Sequence, residues 1–353
     1  PINVNFRYVE EELLYLYNDA KLKAVVFDSE FAHLVAQVID RVPTMTHLLT
    51  VGPTAGVALP EGTQEYEPAL AAQSTGREGF PERSGDDLFI IYTGGTTGMP
   101  KGVMWRGEDI YFAALRGFNP APMDTPEQLA ERLLPDEVTV RSLVVAPLMH
   151  GAAQWALLSV LYLGGTVVLY SEHRFDPVSV WRLCEQERCV GVSLVGDAMA
   201  RPLADALADP ANHFDLSSLR TIGSGGAVWS TAVKEQLAAL LPGVNCADSY
   251  GASETGASGT SSGGDDARRF SVSPEMNVLD DDLRPVEPGS GVIGRVARTG
   301  HIPLGYYKDE AKTAATFPLV DGVRWAVPGD LARVEEDGTI TVLGRGSVSI
   351  NTG

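Results

Sequence analysis

The sequence has few of the features that mark a secreted, membrane-spanning or nucleic-acid-binding protein. Its 353 residues include only three cysteines, Cys184, Cys189 and Cys246, whose odd number closes no disulfide framework and whose spacing fits no zinc motif. A reduced, cytoplasmic setting is the simplest fit. Basic residues are scarce, 27 Lys and Arg against 46 Asp and Glu, for a formal net charge of -19. Such a surface does not attract nucleic acid or anionic lipid, so any nucleotide must be held locally. No apolar run approaches the length that spans a bilayer, and the opening PINVNFRYVEEEL lacks a charged-then-apolar leader pattern. Peripheral contact with a membrane stays open. The chain also lacks an initiator methionine and opens in what reads as a strand, Ile2-Asn3-Val4-Asn5, so the expectation is a fragment.

What is present is 44% hydrophobic residues, enough for a large core in two or three packed units. Val9, Leu13, Leu16 and Tyr17 recur at helical spacing over residues 9–20, and a strand follows at 24–27. A second helix over 31–39 and a strand over 48–51 continue the alternation, before a long surface loop expected at 52–68. The pattern resumes near Arg141 with strands at 143–146, 167–170, 192–195, 220–222 and 244–247. Helices at 151–163, 197–207 and 231–241 separate them, and a further one starts at Asp176-Pro177, where Asp caps and Pro takes the first helical position. Such alternation implies parallel sheets covered on both faces, with ligands at the carboxyl ends of the strands. Beyond Ser261 short strands and turn signals take over, with Asp337-Gly338 reading as a hairpin turn. The Gly, Ser and Asp run over 259–266 reads as a linker or mobile loop. The expected fold is α/β, two doubly wound parallel-sheet subdomains (residues 1–138 and 139–261) plus a small β-barrel-like subdomain (262–345).

The richest stretch in chemistry is Tyr92 to Gly102, YTGGTTGMPKG, after the apolar run Leu88-Phe89-Ile90-Ile91. Gly94, Gly95 and Gly98 let backbone N–H groups turn toward an anion, Thr93, Thr96 and Thr97 add hydroxyl donors, and Lys101 adds a cation. It reads as a polyphosphate-holding loop. It is not a Walker loop, which needs Gly-Lys followed directly by Ser or Thr; here Pro100 precedes the lysine and Gly102 follows it.

This loop resembles the phosphate motif of the acyl-adenylate-forming enzymes, which include acyl-CoA synthetases, firefly luciferase and peptide-synthetase adenylation domains. Three further segments resemble that family in order: Asp248 to Gly256, DSYGASETG; Trp325 to Arg333, WAVPGDLAR; and Gly344-Arg345. The phrases GDAMARPL, GYYKDEAKTAATF and GRGSVSINTG are most similar to actinobacterial fatty-acyl-CoA ligases, some of which act on steroid side chains. The resemblance implies a large domain entered part-way, with residues 346–353 beginning a hinge and the small carboxy-terminal domain lying beyond. It further implies ATP, Mg2+ and CoA as cofactor and co-substrates for a hydrophobic carboxylic acid.

By the same resemblance Lys101, His150 and Glu254 are the expected catalytic residues, with Glu254 and Thr96 on magnesium. Ser253 replaces a usual threonine as a phosphate or AMP contact within Ser249, Tyr250, Gly251 and Ala252, and Tyr250 stacks on adenine. Gly225, Gly226 and Ala227 resemble the loop that lets adenine approach the backbone, while Asp330 and Arg345 resemble ribose contacts. The resemblance implies that His150 borders the substrate carboxylate, with a packed histidine at a helix start as the alternative; its surroundings, Ala152, Ala153, Trp155 and Ala156, offer no acid for an ammonium, which disfavours an amino acid. Trp105, Trp155, Met199 and Trp229 read either as an acyl tunnel or as plain core. Gly94 replaces a serine of many relatives, and Ser347 stands at the hinge aspartate. The family's catalytic lysine belongs to the small domain, so this polypeptide alone is expected to adenylate very poorly. An acyl-AMP ligase loading a carrier protein and a non-catalytic nucleotide-binding module stay open as alternatives, as does a homo-oligomer.

Overall fold

The computed structural model describes residues 2–94, 98–115, 125, 128, 140–261 and 268–345, with residue 345 described by its backbone alone. Chain contacts divide it into two compact units, one of Ile2–Ser84 with Tyr92–Gly102 and one of Gly85–Ile91 with Val103–Gly353. Among the described residues no helix is long and apolar enough to cross a membrane.

The first unit begins with α1 (Glu10–Asp19), β1 (Ala24–Asp28), α2 (Ala32–Val38) and β2 (His47–Val51). The helical spacing seen in the sequence is a buried stripe, with Leu13, Leu16 and Tyr17 inside. The segment expected to be a surface loop instead carries β3 (Thr63–Glu65) and α3 (Tyr66–Ala71). β3 adds a third parallel strand beside β2. Three strand residues and six helical ones are too short to show a period, which is why the sequence pattern missed them.

β4 (Leu88–Thr93) and β5 (Lys101–Arg106) each carry residues of both units. The second unit continues through α4 (Gly107–Ile110), β6 (Arg141–Val144), α5 (Gly151–Tyr162), β7 (Thr166–Leu169), α6 (Pro177–Gln186), β8 (Gly191–Leu194), α7 (Gly196–Ala208), β9 (Thr221–Gly225) and α8 (Thr231–Leu240). Asp176 caps α6 as its sequence suggests, accepting from the N–H groups of Val178 and Ser179. After β10 (Asn245–Ala252) come β11 (Gly256–Ser261), β12 (Arg269–Val272), β13 (Met276–Leu279), β14 (Gly294–Arg298), β15 (Gly305–Tyr306) and α9 (Glu310–Thr316). Two short strands, β16 (Leu319–Val320) and β17 (Val323–Arg324), precede β18 (Asp330–Val334) and β19 (Ile340–Arg345).

One eleven-stranded sheet joins most of these strands, in the order β13-β14-β18-β19-β12-β11-β10-β9-β8-β6-β7. From β7 to β10 the pairs are parallel, and from β10 to β13 they are antiparallel. Residues of β6 and its continuation alternate between two cores: Leu143 and Val145 join Trp181 of α6, Leu203 of α7 and Leu237 of α8, whereas Val144 and Ala146 join Ala153 of α5. That is the period of two expected for a strand covered on both faces.

Among the described residues the strands of the expected barrel-like unit form no closed barrel. β12 pairs with β11 on one side and β19 on the other, so the antiparallel strands extend the central sheet. Short strands with turn signals look alike in both arrangements. The linker expected over 259–266 is also shortened, since Gly259, Thr260 and Ser261 belong to β11; residues 262–266 lie outside the described residues.

The Asp337-Gly338 hairpin is present, with Gly338 at φ +81° and Val334 opposite Ile340. Hydrogen bonds from Thr339 and Arg269 hold the Asp337 carboxyl well below its ordinary range. A depressed folded value contributes stability above the ordinary carboxylate range that is lost as pH falls through the folded value. Asp337→Asn should therefore flatten the fall of Tm below about pH 4; thermal melts across that range that match wild type would contradict this.

Candidate active site

The parallel half of the sheet delivers two motif segments side by side. Ser224 of β9 lies opposite Asp248 of β10, and Gly225 opposite Ser249. A Cβ at Gly225 would touch Ser249 and the Ala152 methyl at ordinary distances of 3.5 to 3.9 Å, so this loop, the β10 motif and the start of α5 converge. Gly226 adopts φ +85° with open space around it, which suits close approach of a flat ligand to the backbone. Ala227 beside it is exposed.

The loop after β9 is held from behind by the start of α7. Gly196 N–H donates to Ser224 Oγ at 2.8 Å, and Asp197 accepts from the Ser230 N–H at 2.8 Å and the Ser230 hydroxyl at 2.6 Å. Burial opposes the Asp197 charge, yet the Ser230 and Arg201 hydrogen bonds keep its carboxyl below the ordinary range. A buried pair supports β10 itself: Lys234 Nζ meets Asp248 Oδ2 at 3.2 Å, where burial pushes the Asp248 carboxyl up despite the lysine.

β10 sits where the sheet changes from parallel to antiparallel, and its tight connection to β11 carries Glu254. Gly251 fits there because a Cβ would stand 2.3 Å from Gly256 O, and Gly256 combines φ +71° with a close approach to Ala113. Three consecutive residues of this turn are then taken by three different side chains. The Trp105 indole N–H donates to Ser253 O at 2.9 Å. The Tyr306 hydroxyl donates to Glu254 Oε1 at 2.7 Å. Arg298, 3% exposed, donates through Nη1 to Thr255 O at 2.5 Å, and to Ala257 O and Ala113 O at 3.1 and 3.3 Å. Ala252 N–H reaches Thr255 Oγ1 at 3.2 Å. Glu254 is thus half-buried on a turn with little backbone freedom.

Tyr250 and Asp330, eighty residues apart in sequence, meet: the phenol donates to Asp330 Oδ2 at 2.9 Å. The Tyr250 ring lies 5.4 Å from that of Phe270 at 36°. Asp330 is 8% exposed and pairs in register with Arg345, so two motifs read separately in the sequence are opposite residues of one hairpin.

The remaining sequence-derived positions divide as follows. His150 is exposed at the N-cap of α5, with its N–H on Pro147 O and its carbonyl accepting from Gln154. Trp105, Trp155 and Trp229 are core residues, and Met199 packs at the core's edge. In the other unit, Thr93 ends β4, Lys101 begins β5 half-buried, Gly94 is exposed and Gly98 has φ +115°. The Tyr92 hydroxyl donates to Asp19 Oδ2 at 2.6 Å, tying the start of this loop to α1. Gly95, Thr96 and Thr97 lie outside the described residues, as does Ser347. Arg298 and Tyr306 were missed in the sequence; the only signal was that Tyr306 falls inside the similar phrase GYYKDEAKTAATF.

Residues 1–307 match the AMP-binding enzyme family. The chain belongs to this family. Among similar proteins, a 3-oxocholest-4-en-26-oate–CoA ligase of Rhodococcus rhodochrous is 44% identical over 368 residues, covering 100% of this chain and 65% of the relative. A medium/long-chain-fatty-acid–CoA/3-oxocholest-4-en-26-oate–CoA ligase of Mycobacterium tuberculosis is 45% identical, with the same coverage. The chain thus spans about 65% of the length of these curated relatives. The crystal structure of an anthranilate CoA ligase in complex with anthranoyl-AMP superposes with a TM-score of 0.78 at 21% identity, over 98% of this chain and 63% of that one. A long-chain-fatty-acid-CoA ligase from Archaeoglobus fulgidus gives 0.77 at 19%, over 98% and 67%. The fold of the family's adenylate-forming members is therefore that of this chain.

Proposed function

We propose that the full-length protein is an ATP-dependent acyl-CoA synthetase. A carboxylate oxygen of a fatty or steroid side-chain acid attacks the α-phosphorus of ATP and pyrophosphate leaves; the CoA sulfur then attacks the acyl carbon and AMP leaves. The observation that carries this reading is the anchored Glu254 turn beside the Tyr250–Asp330 pair, together with relatives at 44 to 45% identity that bear such names.

The donor set suits magnesium. Among the described residues no group of three or more His, Cys, Asp or Glu could hold a metal ion, so Glu254 belongs to no preformed cage. Mg2+ is commonly held by one or two carboxylates plus substrate phosphates, and it would supply charge neutralisation on the leaving pyrophosphate. Glu254, with Thr96, is assigned to hold it. Lys101, Thr93, Gly94, Gly95, Thr97 and Gly98 are assigned to the phosphates, and Ser249, Gly251, Ala252 and Ser253 to AMP. Tyr250 with Gly225, Gly226 and Ala227 is assigned to adenine, Asp330 and Arg345 to ribose, and His150 to the acid's carboxylate.

The division at residues 138 and 261, a cytoplasmic setting and a homo-oligomer belong to the same proposal. Three free cysteines, two of them buried, agree with a reducing compartment. Acyl-CoA formation by the full-length protein, followed by mass spectrometry with straight-chain and steroid side-chain acids, tests the proposal. Acyl-CoA from either class supports it. Acyl-AMP that accumulates with CoA present, and is consumed only by a carrier protein, would replace it with the ligase reading.

A further inference from the structure

We propose that Tyr306 is the positioning residue of the Glu254 carboxylate, fixing the direction from which that carboxylate meets a divalent cation. The inference rests on the assignment of Glu254 to magnesium made above. Trp105 and Arg298 hold the backbone of the turn at Ser253 O and Thr255 O, but backbone anchors do not choose a side-chain rotamer. The Tyr306 hydroxyl does, through its 2.7 Å hydrogen bond to Oε1. With Oε1 so engaged, Oε2 is the oxygen presented to an incoming cation.

Tyr306 is itself fixed without help from Glu254. It is 5% exposed, and its N–H donates to Thr313 Oγ1 at 2.9 Å. The preceding residue is held against α9: a Cβ at Gly305 would stand 2.4 Å from Thr313 Cγ2. β15 pairs with β5, placing Tyr306 opposite Val103, and the ring packs 5.8 Å from Phe317. Lys312 Nζ lies 5.3 Å from the ring centroid, a placement that stabilises the ammonium over the ring face. The hydroxyl is therefore aimed in advance, and outer partners of this kind orient metal-binding carboxylates.

The test compares Tyr306→Phe, Glu254→Gln and the double variant in the full-length protein, by calorimetric titration of Mg2+ with ATP and by electron paramagnetic resonance with Mn2+ in its place. Tyr306→Phe should weaken cation binding on the order of tenfold, while AMP binding without metal and Tm stay at wild-type values. In the Glu254→Gln background the same change should have no further effect on cation binding. Wild-type cation affinity in Tyr306→Phe, with affinity lost in Glu254→Gln, would overturn the Tyr306 inference alone. An equal Tyr306→Phe effect in both backgrounds would also overturn it. Unchanged cation affinity in Glu254→Gln would instead remove the magnesium assignment itself. Should Tyr306→Phe lower Tm, 3-fluorotyrosine at this position keeps the ring and hydroxyl while altering donor strength. It should still change cation affinity, and no change would count against the inference.

Discussion

Glu254→Gln should lower magnesium-dependent pyrophosphate release by the full-length protein roughly a hundredfold or more, with AMP binding little changed. The amide has the shape of the carboxylate, and its oxygen can still accept from the Tyr306 hydroxyl, so the turn and its anchors at Ser253 and Thr255 should survive. What is lost is the negative charge that binds a hard cation. Neutralising charge on a leaving pyrophosphate is the main task of a phosphoryl or adenylyl transfer site, and removing one such stabilising element commonly costs two to three orders of magnitude. Steady-state pyrophosphate assays over a range of Mg2+ concentrations make the measurement. Near-normal turnover at saturating magnesium would remove Glu254 from the metal site.

Arg298→Met should destabilise the second unit by about 3 kcal/mol, because hydrogen bonds from a charged donor contribute roughly 1.5 to 3 kcal/mol each and do not sum fully. Methionine keeps the length of the side chain but leaves the carbonyls of Thr255, Ala257 and Ala113 without the guanidinium. Buried acceptors so stranded carry a desolvation cost that flexible thioether packing does not offset. In a unit this size the change corresponds to a Tm lower by roughly 4 to 6 °C. Because Thr255 directly follows Glu254, magnesium-dependent nucleotide binding should weaken as well. Differential scanning calorimetry with and without MgATP separates the two effects; a Tm within a degree of wild type would mean that the three carbonyls find other partners.

Glu254, Tyr250 and Asp330 stand in short contiguous motifs, so residue type and order were enough to single them out as candidates. The parallel α/β half was legible because alternation of helix and strand leaves a strong period, as Leu143 to Ala146 show by dividing between two cores. Arg298 was not legible, since its partners lie 185, 43 and 41 residues away and nothing local distinguishes a buried arginine from a surface one. The Tyr250–Asp330 hydrogen bond was hidden for the same reason: its ends are eighty residues apart, and only the pairing of β18 and β19 brings Asp330 opposite Arg345. Turn signals locate the hairpins of the antiparallel run without stating whether the sheet closes, so its continuity with the central sheet was not legible.

The most direct test of adenylate formation is ATP–pyrophosphate exchange by the full-length protein, followed with labelled pyrophosphate and Mg2+, with each candidate acid in turn and no CoA. The account requires exchange that depends on both magnesium and a fatty or steroid side-chain acid, and that is lost in Glu254→Gln. Nucleotide binding without exchange, with every acid tested, would contradict it and leave a nucleotide-binding module in its place.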